Sequence, residues 1–219
     1  MPLEAIIFDF DGVIGDTSRF NINAMKSVFE RKNLNFSDEV YENYFTGRTL
    51  KNALDLFLSS IKRENEIDEF ITLKKEHDKY FADETKIYPD AYEFIRKYKN
   101  SLRMAVATGS RPIHLDLFFK KYSLENIFES IVTSQDTPNG KPHPDGYLLS
   151  LKKLNLHCGE AVVIEDTLLG IKSAKAAGIK CIAVTNTYSR EKLLEADLIV
   201  DKLTEKMVDS YLLDLRKAV

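Results

Sequence analysis

The apolar residues of this chain follow two rhythms, and the change from one to the other divides it. The first is a continuous run, Ala5-Ile6-Ile7-Phe8, leading into Asp9-Phe10-Asp11-Gly12-Val13. A short unbroken run of this kind predicts a strand buried on both faces, as in a parallel sheet. After Gly15 the period lengthens. Ser18–Lys32 sets Phe20, Ala24 and Val28 on one helical stripe with Met25 and Phe29 beside it, and Thr17 or Ser18 can cap its start. Ser37-Asp38-Glu39-Val40 reads as another helix start, Leu50–Ile61 gathers Leu54, Phe57, Leu58 and Ile61 on one face, and Ile67–Phe81 continues in kind. With no strand pattern and few glycines, this block is expected to be a small helical bundle.

From Ile87 onward, strands and helices alternate. Strands are expected at Arg103–Ala107, Ile131–Thr133, Ala161–Ile164, Lys180–Val184 and Leu198–Val200. Helices are expected at Asp90–Lys99, Pro112–Tyr122, Asp145–Leu154, Leu168–Ala177, near Glu191 and at Thr204–Arg216. This order implies an α/β protein with a doubly wound parallel sheet. The helical block then interrupts it after the first strand, giving a discontinuous core domain, 1–15 and 83–219, and an inserted domain, 16–82.

Composition narrows the function classes. The 219 residues are 44% hydrophobic and 30% charged with a net charge of −3, the profile of a soluble globular protein without the basic face that nucleic acid requires. No apolar run approaches the ~20 residues that span a bilayer, and the first strand is too short and too acidic at its end for a secretion signal. The expected setting is therefore the cytoplasm, with neither membrane nor nucleic acid as partner. Cys158 and Cys181 lack C-x-x-C spacing and are expected as free thiols, and the four histidines lack metal-ligand spacing.

The candidate chemistry sits where strands end. Asp9 and Asp11 share one side of an extended chain, and two acids so close call for a cation or a shared proton; Gly12 then lets the backbone turn. One capping aspartate and one solvated aspartate would be the plainer account of that pair alone. Val106-Ala107 runs into Thr108-Gly109-Ser110, Lys141 lies within Gly140-Lys141-Pro142-His143-Pro144-Asp145, and Val163-Ile164 runs into Glu165-Asp166-Thr167 with Gly170 after it. Singly these are a turn, a surface lysine and a helix cap. Together they fit phosphoryl transfer: hydroxyl and amide groups for phosphate oxygens, a lysine for charge, and Asp9 with Asp166 for Mg²⁺.

The set Asp9-Phe-Asp11-Gly-Val, Thr108-Gly-Ser, Lys141-Pro-His-Pro-Asp and Glu165-Asp166-Thr-Leu-Leu-Gly170 resembles the haloacid dehalogenase superfamily. More narrowly it is similar to the group of β-phosphoglucomutase and phosphoglycolate-phosphatase-like proteins, which carry a helical cap after the first motif. The resemblance implies a Rossmann-like core, Asp9 as nucleophile forming an aspartyl-phosphate, and Asp11 as general acid/base. It implies that Thr108, Gly109 and Lys141 hold the phosphoryl group, and that Asp9, the Asp11 carbonyl and Asp166 ligate Mg²⁺ with Glu165 supporting them. In the cap, the arginine and lysine by which the mutases hold a distal phosphate have Arg48 and Lys74 or Lys75 as nearest equivalents, Lys75 being the residue chosen here. Asn21 stands where those mutases have a histidine. The expectation is a monomeric Mg²⁺-dependent phosphatase of a small phosphorylated metabolite, with a sugar phosphate as the expected class. A phosphoglucomutase-type isomerase and a non-catalytic binder of phosphorylated ligands are the alternatives.

Overall fold

A computed structural model describes residues 2–46 and 48–217. Its centre is a six-stranded parallel sheet flanked by helices, an α/β fold. The strands in chain order are β1 Ala5–Phe8, β2 Gly15–Asp16, β3 Lys86–Ile87, β4 Arg103–Ala107, β5 Ser130–Val132, β6 Ala161–Glu165, β7 Lys180–Val184 and β8 Leu198–Val200. The large sheet runs β5-β4-β1-β6-β7-β8, while β2 and β3 pair antiparallel as a separate ribbon. The connections wind one way from β1 through β4 to β5 and the other way from β6 to β8. The strand order thus reverses beside β1, where open α/β sheets leave a crevice at the carboxyl ends.

The two faces of the sheet are built from differently sized residues. On one, Ile6, Phe8, Met104, Val106 and Ile164 pack with Phe94, Phe118, Phe119 and Phe128 against the helices Pro89–Tyr98, Pro112–Tyr122 and Lys206–Lys217. On the other, Ala5, Ala105, Ala107 and Ala183 let the helices Asp145–Leu154 and Leu168–Ala176 approach closely. Strand alternation places the two sets on opposite sides.

Residues between β2 and β3 form the helices Ser18–Arg31, Leu50–Ser60 and Ile67–Lys75 with shorter turns. They have a core of their own, with Phe29 at its centre against Phe36, Phe45, Phe57 and Phe70. Phe20 and Phe81, at the two ends of the segment, pack instead with the sheet-side cluster. The expected helix Ile67–Phe81 is broken: it stops at Lys75, and the chain continues through a 3₁₀ turn, Asp78–Tyr80, and a short helix, Phe81–Glu84. Near Glu191 there is only a 3₁₀ turn, Arg190–Lys192. Ser37 caps as expected, its Oγ accepting from Val40 N–H at 3.2 Å. Both cysteines are free. No helix among the described residues is long and apolar enough to cross a membrane.

Because Phe29 touches four other rings, Phe29→Ala is expected to destabilise the protein by about 3–5 kcal/mol, measured by urea unfolding. A loss under about 1 kcal/mol would show that the helical segment does not depend on this cluster.

Candidate active site

Sheet register brings three strand ends to one level. Phe8 pairs with Val106 on one side and with Ile164 on the other, so the residues that follow, Asp9, Ala107-Thr108 and Glu165-Asp166, converge. The ladder continues one step beyond the strands: Asp9 N–H donates to Ile164 C=O at 2.9 Å and Thr108 N–H to Val132 C=O at 2.9 Å. Asp9 and Thr108 are therefore held by backbone as well as by side chain.

Lys141 joins the acids. Its Nζ lies 2.7 Å from Asp9 Oδ1 and 2.5 Å from Glu165 Oε1, with little of it exposed. The Glu165 Oε1 also accepts from Tyr147 Oη at 2.7 Å. Its Oε2 accepts from Asp166 N–H at 3.0 Å and from Thr167 N–H and Oγ1, each at 3.1 Å. A carboxylate has about four lone-pair sites, so these donors saturate Glu165. It orients Lys141 and has no oxygen left for a ligand. Gly170 is what admits it, since a Cβ there would sit 1.7 Å from Glu165 Oε1.

Electrostatics separates the three acids. Burial pushes the Asp9 carboxyl up to about 7, with Lys141 pulling against the shift and Glu165 and Asp11 adding to it. Burial, then the charges of Glu165 and Asp9, push Asp166 well above the usual carboxylate range. For Glu165 burial acts in the same upward sense, but Lys141 and the hydrogen bonds overcome it and hold the group low. Asp166 Oδ2 accepts from Thr187 Oγ1, whereas its Oδ1 is buried with no partner. Oxygens of Asp9, Glu165 and Asp166 fall within 4.8 Å of one another. Two strained carboxylates and an orphaned buried oxygen fit a hard divalent cation, which Asp9 and Asp166 are placed to hold. Gly12, at φ +80°, closes this corner, and a Cβ there would lie 1.9 Å from Asp166 Oδ2.

Asp11 is fixed by hydroxyls. Thr17 Oγ1 donates to its Oδ1 at 2.6 Å, and Ser110 Oγ and Thr108 Oγ1 donate to its Oδ2 at 2.8 and 3.1 Å. Thr17 does stand at the helix N-cap, but its hydroxyl makes no capping bond and serves Asp11 instead. From the sequence Thr17 is given only a capping role and Ser110 only a place within its motif, and Tyr147 and Thr187 are not singled out. Thr17 could have been noticed, since a capping hydroxyl six residues after an acid can return to it; Tyr147 and Thr187 depend on contacts made only by the fold.

These groups open onto a cavity of about 500 Å³ between the strand ends and the helical segment, lined on the sheet side by Asp9, Asp11, Thr108, Gly109 and Lys141. From the helical side Arg48 and Lys74 reach its wall. Lys75 does not: it is exposed and points away, because neighbours on a helix lie about 100° apart. The lysine chosen from the sequence is therefore corrected to Lys74, which is only 8% exposed and holds its ammonium 4.8 Å from the Phe20 ring centre. Arg48 is exposed at the rim and donates to Asn43 C=O at 3.1 Å. Asn21 also lines the cavity.

Residues 6–184 match the family model described as haloacid dehalogenase-like hydrolase. The chain belongs to that family. It is an enzyme of the family's phosphatase kind. A phosphorylated carbohydrates phosphatase from Thermotoga maritima is 29% identical over 203 residues, 90% of this chain and 93% of the relative. The solved structure of CbbY from Rhodobacter sphaeroides in complex with phosphate is 28% identical, with a TM-score of 0.84 over 93% of this chain and 96% of that one. A β-phosphoglucomutase from Clostridium difficile, at 22% identity, shares the fold with a TM-score of 0.84 over 97% and 98% of the two chains.

If the strained acids are a cation site, neutralising one should help the metal-free protein. Asp166→Asn is expected to unfold at a higher temperature than wild type in chelator, yet to gain nothing from Mg²⁺, while wild type gains several degrees. Equal gains with Mg²⁺ for both, read by calorimetry, would remove Asp166 from the site.

Proposed function

We propose that the chain hydrolyses the phosphate monoester of a small carbohydrate through an aspartyl-phosphate on Asp9. The observation that carries this is the pairing of Asp9 with Lys141 at the floor of a cavity whose far wall presents a buried lysine from the helical segment. Residues 16–82 act in this reading as the cap that closes over the substrate. The carbohydrate is supported by the named activity of the Thermotoga maritima relative.

The Asp9 carboxylate attacks phosphorus, and the P–O bond to the sugar breaks. Asp11 gives its proton to the departing oxygen, then takes a proton from the water that attacks the acyl phosphate. Lys141, the Thr108 hydroxyl and the Gly109 amide hold the phosphoryl oxygens as charge redistributes. Mg²⁺, held by Asp9, Asp166 and the Asp11 carbonyl, would neutralise charge on the phosphoryl group and on the acids around it. The Thr17 and Ser110 hydroxyls fix the Asp11 carboxyl in the geometry that proton transfer needs, while the Thr108 proton, on Asp11 in the free site, turns to a phosphoryl oxygen.

The test is a panel of phosphorylated metabolites with Mg²⁺, including β-glucose 1-phosphate with a trace of glucose 1,6-bisphosphate. Free phosphate is expected from at least one sugar phosphate, and Asp9→Asn is expected to lower that rate at least about a thousandfold. Glucose 6-phosphate forming much faster than phosphate would replace hydrolysis by a mutase. Asp9→Asn within tenfold of wild type would refute the covalent step.

Lys74 gives a pH signature. Burial lowers its ammonium to about 8, with Arg111 adding to the shift and Asp11 opposing it. The charged form is therefore present below about pH 8 and lost above it, so kcat/KM for a sugar phosphate should fall as pH rises through that value. In Lys74→Met, kcat/KM is expected to be about tenfold lower at pH 7 and flat across the same range. A wild-type profile that persists in the variant would assign the fall to another group.

A further inference from the structure

Arg111 follows Thr108-Gly109-Ser110 and lines the cavity beside Lys74 and His114. Its charge is already shared, because Nη1 is ion-paired with Asp78 Oδ2. The other oxygen of Asp78 lies 2.8 Å from His114 Nε2. Asp78 is not itself part of the cavity wall. It stands behind it, on the 3₁₀ turn that breaks the helical pattern, with a side chain 13% exposed. Rings pack around the assembly: the His114 ring stacks on Phe81 with centroids 4.2 Å apart and 4° between planes, and meets Phe20 edge-on at 5.3 Å.

The charges at this end of the cavity can be counted. Lys74 and Arg111 are cations, Asp78 is an anion, and burial, with the Lys74 charge adding, lowers His114 to about 4, so it is neutral near pH 7. Lys74 has no carboxylate partner among the described residues, and Arg111 has one. Of these two cations only Lys74 keeps a charge unmatched by an ion pair, and the Asp11 charge also acts on it.

We propose that Asp78 is a specificity-determining residue that selects substrates with one phosphate over those with a second. The inference rests on the sugar-phosphate reading above. A second phosphate reaching this end would have to compete with Asp78 for the Arg111 charge or draw it out of a part-buried ion pair. It would then leave the Asp78 carboxylate facing the phosphate across a short, poorly screened distance. Both effects are repulsive elements built against the doubly charged ligand, and neither touches a ligand that ends in neutral hydroxyls. The same discrimination favours hydrolysis, since a mutase must retain a bisphosphate.

Binding tests this without turnover. In an Asp9→Asn background with Mg²⁺, calorimetry would compare glucose 6-phosphate with glucose 1,6-bisphosphate, with and without Asp78→Asn. The amide keeps the shape and removes the charge; Asp78→Ser is the second variant, removing the charge without placing an amide beside His114. The ratio of bisphosphate to monophosphate affinity is expected to rise about tenfold, and to return to its starting value when Arg111→Gln is added. An unchanged ratio, equal weakening of both ligands, or a gain that survives Arg111→Gln would each overturn the assignment. If the monophosphate binds and the ratio stays flat, only this inference falls. If neither ligand binds with or without the Asp78 substitution, the sugar-phosphate reading falls and this one with it.

Discussion

One ammonium group shared by two buried carboxylates is the interaction on which this site depends. Lys141 bridges Asp9 and Glu165, and each of the three would be costly to bury alone. Removing one partner of such a set typically costs about 3–5 kcal/mol, because the others are left uncompensated. Much of the surrounding sequence serves that bridge. Tyr147 and two backbone amides complete Glu165, Gly170 leaves room for it, and Thr167 both donates to it and caps the next helix by accepting from Gly170 N–H. The spacing from Glu165 to Gly170 is the footprint of one carboxylate seated at a helix start.

Saturating Glu165 also divides the labour among the acids. It fixes the position of Lys141 and takes no further part. Asp9 and Asp166 are left with oxygens to spare in a place where burial opposes their charge. Nearby hydroxyls hold Asp11 in a more polar setting. Acids grouped in one corner are thus given separate roles by what surrounds them, not by residue type.

The sheet was legible because its strands are short apolar runs bounded by helical periods, and the site because strand ends in such a sheet share one edge. Asp9, Thr108 and Asp166 could therefore be assembled on paper, whereas Lys141, in the loop before the helix Asp145–Leu154, was placed with them by its motif and the family resemblance. What escaped has physical reasons. The strands β2 and β3 are two residues each, too short to show alternation. The break after Lys75 carries no proline or glycine; it is associated with Asp78, which faces Arg111 and His114 from far along the chain. Lys74 and Lys75 are equivalent in composition, and only the true phase of a helix that ends one residue later separates them. Thr17 obeyed the rule for its position in the helix but spent its hydroxyl elsewhere.

The ribbon of β2 and β3 has a consequence of another kind. Gly15 is paired with Ile87 and Asp16 with Lys86, so the chain leaves the sheet and returns to it side by side. Topologically the intervening helices are a closed excursion: excise them, and a short turn would rejoin what remains. The strands of the parallel sheet pair only with one another, and the excursion reaches their core through Phe20 and Phe81 at its two ends. Sequence change within it is free to alter what stands opposite the acids, while the acids keep the same frame. A chain built this way can exchange its substrate by rewriting an insert whose two ends were already neighbours.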